Sequence, residues 1–337
     1  MVRYIHFDGL YYHKAAADRK PLLHISSMCY NKSKTQGESS MGAADRKREI
    51  ERYSNAHQTV VKSNEIVMKA TYNLTAEEQK LLCFVISKIK PTDKEFERYT
   101  LSAKDFGELC GIDNKNIYRD FKKMIESFDN KAQWIEIGNN QIRMRVFSEA
   151  EYNSKQGSIT VVINSRLKKY LLDLQGNYTQ YELWNILSLK SKYSIRLYEI
   201  FRAHEFKHEI QFKLDDFKKL ICADNYSLFA NLKERVINRA IKEINEYTDL
   251  QVSYDTIVEE SRSHKVKGLI FTITKKPKQE ALATYWKTVD RVNKRENQYP
   301  GQLNLFATNE DMEEVYNATQ IIVDNGQQPE GAAANDK

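Results

Sequence analysis

The chain of 337 residues is long enough to form two or three domains. Its 41% apolar and 29% charged residues are typical of a globular protein with polar ends. The longest clearly apolar run, Leu81–Ile86, is far shorter than the roughly twenty residues of a transmembrane helix, so we expect no membrane association. The first thirty residues lack the apolar core of a signal peptide, which predicts a cytoplasmic protein.

Charge is distributed unevenly along the chain. Residues 298–337 carry seven acids and one base, a net charge of −6, although the whole chain has a net charge of +6. Residues 1–297 therefore carry +12. A basic body followed by an acidic tail favours a polyanionic partner for the body.

Residues 1–57 are predicted to be a disordered or loosely ordered extension. The sequence AADRK occurs at 16–20 and again at 43–47, and Met41 stands just before the second copy. Two interpretations stay open. Residues 1–40 are either an extension upstream of a start at Met41 or a genuine disordered arm.

The first ordered elements are predicted from residue 58 onward. Residues 59–70 are β-branched and partly alternating, which indicates an extended segment. Thr75 and Glu78 have the spacing of a capping box at the start of a helix. A short strand is expected at 98–101.

A helix-turn-helix pattern follows, with segments 102–111 and 114–131 joined by a tight turn at 111–113. The second helix has an apolar face, and its opposite face carries Lys115, Tyr118, Arg119 and Lys122. The next segments alternate around residues 138–140, which predicts a hairpin with Arg143 and Arg145 on its polar face. A helix-turn-helix followed by a hairpin is a winged helix.

The same order of elements occurs a second time. Asp105, Phe106 and Leu109 have counterparts at Asp216, Phe217 and Leu220, which indicates an internal duplication. The predicted fold class is therefore α+β, with two tandem winged-helix domains and flexible N- and C-terminal tails. The first domain is predicted at 58–175, with a bridging helix at 165–174, and the second at 176–276. A C-terminal helix at 277–297 and an acidic flexible tail at 298–337 complete the chain.

The long helix of the second unit combines an apolar stripe with a basic face. That face carries Arg235, Asn238, Arg239 and Lys242 at helical spacing. In a major groove, arginine can pair with guanine and asparagine with adenine, so these residues are candidate base readers. Further bases are expected nearer the phosphates, namely Lys233, Arg262, His264, Lys265 and Lys267. The alternative is an ordinary solvated helix face.

Catalytic and metal-binding patterns are missing from the sequence. The seven histidines include no H-x-H or H-E-x-x-H pattern, and the four cysteines show no zinc spacing. There is no glycine-rich phosphate loop and no G-x-S-x-G element. We therefore expect neither enzymatic activity nor a cofactor nor a metal.

Three segments together resemble the plasmid replication initiators of the Rep_3 type. They are VVKSNEIVMKATYNLTAEEQKLLCFVISKIK, YTQYELWNILSLKSKYSIRLYEIFRAHEF and LKERVINRAIKEINEYTDLQV. The resemblance covers about residues 58–275. It implies two tandem winged-helix domains, binding to repeated origin sequences called iterons, and a dimer that binds an inverted repeat and represses its own promoter.

The resemblance also assigns roles to the two domains. It places the main base readout in the second domain, at Arg235, Asn238, Arg239 and Lys242. It gives the first domain the dimer interface and supporting DNA contacts, at Lys115, Arg119 and Lys122. Opening of the origin would require recruitment of the host initiator protein and the replicative helicase.

The acidic tail contains a small apolar cluster in the sequence GQLNLF. Residues Gln302, Leu303, Asn304, Leu305 and Phe306 resemble the pentapeptide that binds the bacterial sliding clamp, with Asn304 in place of the usual Ser or Asp. Such a peptide would place leucine and phenylalanine in apolar pockets of the clamp. The alternative is that these side chains fold back onto the body or have no role.

Three functions compete at this stage. The first is an origin-binding initiator of plasmid replication. The second is a winged-helix transcriptional repressor without a replication role, which would not need a clamp-binding peptide. The third is a nicking enzyme, which the missing histidine pair disfavours.

Overall fold

The computed structural model describes residues 54–71, 73–90, 93–110, 117–131, 133–137, 140–172, 174, 176–259 and 265–293. Residues 1–53 of the predicted N-terminal extension and the acidic tail lie outside these residues. The last residues of that extension, 54–57, are ordered, because Ala56 is buried and His57 contacts Glu182 at 3.1 Å. No helix among the described residues is long and apolar enough to cross a membrane.

The first unit begins with a strand, a short helix and a second strand. These are β1 (Thr59–Ser63), α1 (Asn64–Lys69) and β2 (Ala70–Thr71). The prediction of one extended segment over 59–70 is therefore wrong for its central part. The Ser63 side chain accepts a hydrogen bond from the Ile66 amide and starts α1, as serine commonly does at an N-cap.

The remaining helices of the first unit contribute most of its core. They are α2 (Ala76–Ile86), α3 (Ala103–Cys110), α4 (Ile117–Asn130) and the single turn α5 (Lys168–Leu171), which follows a 3₁₀ turn at Ser165–Leu167. The capping box predicted at the start of α2 is confirmed, because Thr75 accepts from the Glu78 amide and Glu78 accepts from the Thr75 amide. The predicted bridging helix at 165–174 is reduced to the 3₁₀ turn and α5.

Two three-stranded antiparallel sheets belong to the first unit. One has the order β2-β4-β5 and contains the hairpin of β4 (Gln133–Ile137) and β5 (Asn140–Met144). The other has the order β3-β7-β6 and is formed by β3 (Arg98–Ser102), β6 (Phe147–Asn153) and β7 (Ser158–Ile163). The strand before the helix-turn-helix thus pairs with β7, not with the hairpin that follows α4.

The second unit contains β9 (Glu209–Lys213), α8 (Leu214–Leu220) and a long helical segment over residues 229–247, called helix 229–247 here. Its hairpin consists of β10 (Leu250–Val258) and β11 (Val266–Lys275), and β9 pairs with β11, so the sheet order is β10-β11-β9. We call the β10–β11 hairpin the wing. The repeated phenylalanines, Phe106 and Phe217, are both buried in their units, as expected for equivalent core positions.

The two units are joined by β8 (Tyr178–Glu182), the single turn α6 (Trp184–Leu187) and α7 (Lys192–His204). Strand β8 pairs antiparallel with β1, and α7 packs against both α2 and helix 229–247. The buried apolar residues of both units form one cluster. The domain boundary at 175/176 stays a prediction.

Nine of the thirteen residues of helix α7 are buried, and the other four are half-buried. Its buried charged side chains, Arg196 and Glu199, are paired inside the protein. Arg196 donates to the carbonyl oxygens of Ala70 and Leu220. Glu199 accepts hydrogen bonds from the Lys62 ammonium and, at 2.5 Å, from the Tyr181 hydroxyl.

Lys62 and Glu199 form a buried ion pair between β1 and α7, with side-chain exposures of 5% and 1%. Burial alone would raise the pKa of Glu199, but the charge and hydrogen bonds of Lys62 and the bond from Tyr181 lower it below its usual value. The neighbouring thiol of Cys83 lies 3.3 Å from the Lys62 ammonium, and burial raises its pKa to about 11. The cluster therefore holds one compensated charge pair in the core.

The chain continues after the wing with α11 (Lys278–Asn293). Lys276, which precedes this helix, donates from its ammonium to the carbonyl oxygens of Asn245 and Thr248 at 2.6 and 2.8 Å. A cation at these carbonyls stabilises the C-terminal end of helix 229–247.

Candidate nucleic-acid interface

Helix 229–247 consists of three consecutive pieces. An α-helical turn, α9 (Phe229–Leu232), leads into a π-helical stretch, Lys233–Asn238, and then into α10 (Arg239–Tyr247). The periodicity of the sequence predicts the helix but not the π-helical stretch. Such stretches are rare and are frequent at functional sites.

The predicted apolar stripe of helix 229–247 lies in the core. Its buried members are Leu232, Val236, Ile237, Ala240 and Ile244, and Ile241 is half-buried. These side chains hold the helix in place, so the opposite face is presented outward as a fixed surface.

The predicted basic face is mostly open to solvent. Arg235, Arg239, Lys242 and Lys233 are exposed, and Asn238 is half-buried. Three cations on one outward face of a fixed helix can approach the phosphates and base edges of a DNA groove. We call Arg235, Asn238, Arg239 and Lys242 the outward set.

Among these cations, Arg239 lies beside a partly buried acid, Glu243. Its Nε lies 3.8 Å from Oε1 of Glu243, whose side chain is only 11% exposed. The other oxygen of Glu243 accepts the backbone N–H groups of Lys190 and Ser191 just before α7 begins. Glu243 is thereby fixed, and it places a carboxylate behind the Arg239 guanidinium.

Asn238 differs from the other members because both ends of its amide are already bonded within the protein. Its Nδ2 donates to Oε1 of Glu234 at 2.9 Å, and its Oδ1 accepts from the Tyr254 hydroxyl on β10 at 2.8 Å. Burial and the charge of Glu234 raise the pKa of Tyr254, so its hydroxyl stays protonated and donates.

The wing carries further cations. Lys265 and Lys267 are exposed, and Lys267 lies 3.5 Å from Glu259 on the opposite strand. The Glu259 amide donates to the Lys265 carbonyl oxygen, which closes the base of the loop. Arg262 and His264, predicted at the tip, lie outside the described residues.

The corresponding face of the first unit is also exposed, and its side chains contact the β6 strand and the turn beside it. A Cβ at Gly157, which has a φ of +60°, would come within 1.9 Å of the Tyr118 ring, so this ring lies directly on the β6–β7 turn. The Lys122 ammonium lies 5.2 Å from the centre of the Tyr152 ring on β6. Arg119 is exposed and contacts Asp120 at 3.3 Å. Lys115 and the turn of the helix-turn-helix lie outside the described residues.

The β4–β5 hairpin shows the predicted alternation. Arg143 and Arg145 are exposed, whereas Met144 and Val146 are buried. The sequence thus placed both arginines on the correct face.

We searched the described part of the chain for clusters of metal-binding side chains. No group of three or more His, Cys, Asp and Glu side chains there could hold a metal ion. His204 donates from Nδ1 to the Ile200 carbonyl oxygen, and burial lowers its pKa.

Two family models match the chain in tandem. The model described as "Initiator Replication protein, WH1" matches residues 59–202, and the one described as "Initiator Rep protein, WH2" matches residues 213–273. The chain belongs to the Rep_3 family of replication initiator proteins. The prediction of two tandem winged-helix domains is confirmed.

Individual relatives agree with the Rep_3 assignment. The chain is 24% identical over 226 residues to a replication initiation protein from Escherichia coli, covering 64% of this chain and 69% of that protein. Its fold is similar to that of the Pi initiator protein in its crystal structure with iteron DNA, with a TM-score of 0.55 and 20% identity. That similarity covers 65% of this chain and 98% of the Pi chain.

Sequence reasoning singled out the exposed cations of helix 229–247 but missed two residues that fix this face, Glu243 beside Arg239 and Tyr254 beside Asn238. Glu243 and Tyr254 were not singled out, because their partners Ser191 and Asn238 are brought to them only by the fold. A buried acid inside a basic helix was the available signal for Glu243. No local pattern pointed to Tyr254.

Proposed function

We propose that this Rep_3 initiator binds duplex DNA sequence-specifically by inserting helix 229–247 into the major groove. The observation that carries this proposal is the pairing of a buried apolar stripe with an exposed face bearing Arg235, Arg239 and Lys242. Arginines at such positions contact guanine edges, and lysines neutralise phosphates. The activity is binding, not catalysis.

The wing and the first unit supply contacts that position the protein. Lys233 and the wing residues Arg262, Lys265 and Lys267 contact phosphates beside the groove. In the first unit, Lys115, Tyr118, Arg119 and Lys122 on α4 and Arg143 and Arg145 on the β4–β5 hairpin give weaker, supporting contacts. This secondary rank is the one that the resemblance to Rep_3 initiators implies.

The biological sites are proposed to be direct repeats at a plasmid origin. Monomers bind these iterons, strain the adjacent duplex, and recruit the host initiator protein and the replicative helicase. A homodimer formed through the first domain binds an inverted repeat and represses its own gene. Membership of the Rep_3 family supports the role in replication.

Footprinting of the full chain on DNA flanking its gene tests this function. We expect several evenly spaced protected repeats in the same orientation. A single protected inverted repeat at the promoter, with no direct repeats elsewhere, would instead support a repressor without a replication role.

The acidic tail is proposed to tether the bacterial sliding clamp through Gln302, Leu303, Leu305 and Phe306. Replacing both Leu305 and Phe306 by alanine should abolish retention of the protein on immobilised clamp, because these side chains supply most of the apolar surface that the complex buries. Affinity for the cognate DNA should stay unchanged. The measurement is a clamp pull-down beside a DNA-binding titration.

The matched control replaces Val315 and Tyr316 by alanine, which removes two apolar side chains from the same tail. This variant should bind the clamp like the wild type. Equal retention of the Leu305 and Phe306 variant would rule out the tail as the clamp-binding segment.

A further inference from the structure

Asn238 links helix 229–247 to the wing, because its side chain is hydrogen-bonded to one residue on each. Its amide nitrogen donates to Glu234 one turn earlier in the same helix, and its amide oxygen accepts from Tyr254 on β10. An asparagine amide has two N–H donors and an oxygen with two lone pairs. One N–H and one lone pair therefore remain for another partner.

Glu234 determines which end of the Asn238 amide faces it, and Tyr254, whose hydroxyl can donate or accept, ties the other end in place. An ionised carboxylate only accepts hydrogen bonds, so Glu234 bonds the nitrogen of Asn238 and would repel its oxygen. A flip of the amide by half a turn would place that oxygen against Glu234. Only the observed orientation satisfies both neighbours at once.

Tyr254 is itself held in place. Its ring centre lies 5.9 Å from that of Phe271 on the paired strand β11. Two residues earlier, the backbone of Val252 exchanges two hydrogen bonds of 2.7 and 2.8 Å with the Asn245 side chain of the same helix. The strand and the helix are thus tied at two points, which fixes the hydroxyl of Tyr254 relative to Asn238.

We propose that Tyr254 is a positioning residue for base discrimination, which acts by fixing the Asn238 amide in one orientation toward the groove. This inference rests on the proposed insertion of helix 229–247 into the major groove. The N–H and lone pair left on Asn238 match the acceptor N7 and the donor N6 of adenine. A freely rotating amide would present either end, so it would discriminate less against other bases.

The test first selects preferred duplexes from a random DNA library with the wild-type chain, and then measures binding to every single-base-pair variant of the selected site. Tyr254→Phe should reduce discrimination at one A·T pair by roughly tenfold and leave the other positions and random DNA unchanged. Asn238→Ala should lose discrimination at the same pair. The double variant should lose no more than Asn238→Ala alone, because Tyr254 acts through Asn238.

Two further variants keep the test decisive. Tyr247→Phe removes a hydroxyl that bonds Glu246 in the same helix, and it should leave every base preference unchanged. Glu234→Ala removes an exposed acid, so it should raise affinity for all duplexes while reducing discrimination at the same A·T pair. If Tyr254→Phe lowers the stability of the protein too far, Glu234→Ala still tests whether the orientation of the Asn238 amide matters.

Wild-type base preference in a folded Tyr254→Phe would overturn the inference, and so would wild-type preference in Glu234→Ala if Tyr254→Phe does not fold. A double variant with losses that add would also overturn it, because Tyr254 would then act independently of Asn238. A wild-type chain that selects no duplex over random DNA would instead refute the proposed function itself, and this inference with it.

Discussion

Replacing Lys62 by methionine is expected to lower the free energy of unfolding by about 3–5 kcal/mol, because it leaves the buried Glu199 carboxylate without its counter-charge. Both side chains are almost completely buried, at 5% and 1% exposure. Hydrogen bonds from neutral groups such as the Tyr181 hydroxyl and the Cys83 thiol cannot replace a full positive charge at this carboxylate. The measurement is equilibrium unfolding in denaturant at neutral pH.

The sign of the pH dependence follows from the carboxyl group. In the wild type the pKa of Glu199 is lowered, so its contribution to stability is present above the pKa of the unfolded chain and is lost as the pH falls. Without Lys62, burial would raise that pKa, so the folded variant would be destabilised as the pH rises. The difference in stability between the two proteins should therefore be larger at pH 8 than at pH 4.

Lys69→Met is the matched control, because Lys69 pairs with Glu65 at 3.4 Å on the surface, where both side chains are well exposed. An exposed pair of this kind contributes about 0.3–0.5 kcal/mol. Replacing Lys62 and Glu199 together by apolar residues should recover much of the lost stability. Equal losses for Lys62→Met and Lys69→Met would show that the buried pair does not stabilise the contact between β1 and α7.

Replacing Arg239 by alanine is expected to cost about 1–3 kcal/mol of binding free energy on the cognate site and much less on random DNA. Arg239 is exposed, and the fixed carboxylate of Glu243 lies behind it. An arginine held in this way loses little entropy when it pairs with guanine. The measurement is a pair of titrations, one with the selected site and one with a random duplex, at the same salt concentration.

Arg98→Ala is the control for this experiment. Arg98 is also exposed, but it pairs with Glu149 and Glu151 on the β3-β7-β6 sheet of the first unit. Loss of the Arg98 side chain should change neither the affinity for the selected site nor the affinity for random DNA. If Arg239→Ala weakens both duplexes equally, Arg239 contacts only phosphate and reads no base.

Elements set by nearby residues were predictable from the sequence. The capping box of Thr75 and Glu78, the stripe of helix 229–247 and the paired phenylalanines of the repeat all depend on spacing within one element. Such features need no knowledge of distant partners. The exposure of Arg235 and Arg239 followed correctly from the same periodicity.

Features that depend on distant contacts were missed. Helix α7 has charged residues that would ordinarily lie at the surface, but Arg196 and Glu199 find partners in the first unit and become buried. Strand β3 pairs with β7, about sixty residues later, and not with the neighbouring hairpin. A short capped helix over 64–69 was hidden because its apolar residues also fit a strand pattern.

The two copies of the repeat have also diverged in ways that spacing does not reveal. In the second unit the wing and β9 share one sheet, whereas in the first unit the hairpin pairs with β2. On α4 the Tyr118 ring lies against Gly157 of the β6–β7 turn, although Tyr118, Arg119 and Lys122 stay exposed. Both basic faces are therefore exposed, but β6 lies beside one and β10 beside the other.

The most direct test of the account is methylation interference on a selected duplex, because dimethyl sulfate modifies guanine N7 in the major groove and adenine N3 in the minor groove. We expect methylation at a few guanine N7 positions to block binding of the wild-type chain, and at least one of these positions to stop interfering for Arg239→Ala. Interference confined to adenine N3, or an unchanged guanine pattern in that variant, would contradict insertion of helix 229–247 into the major groove.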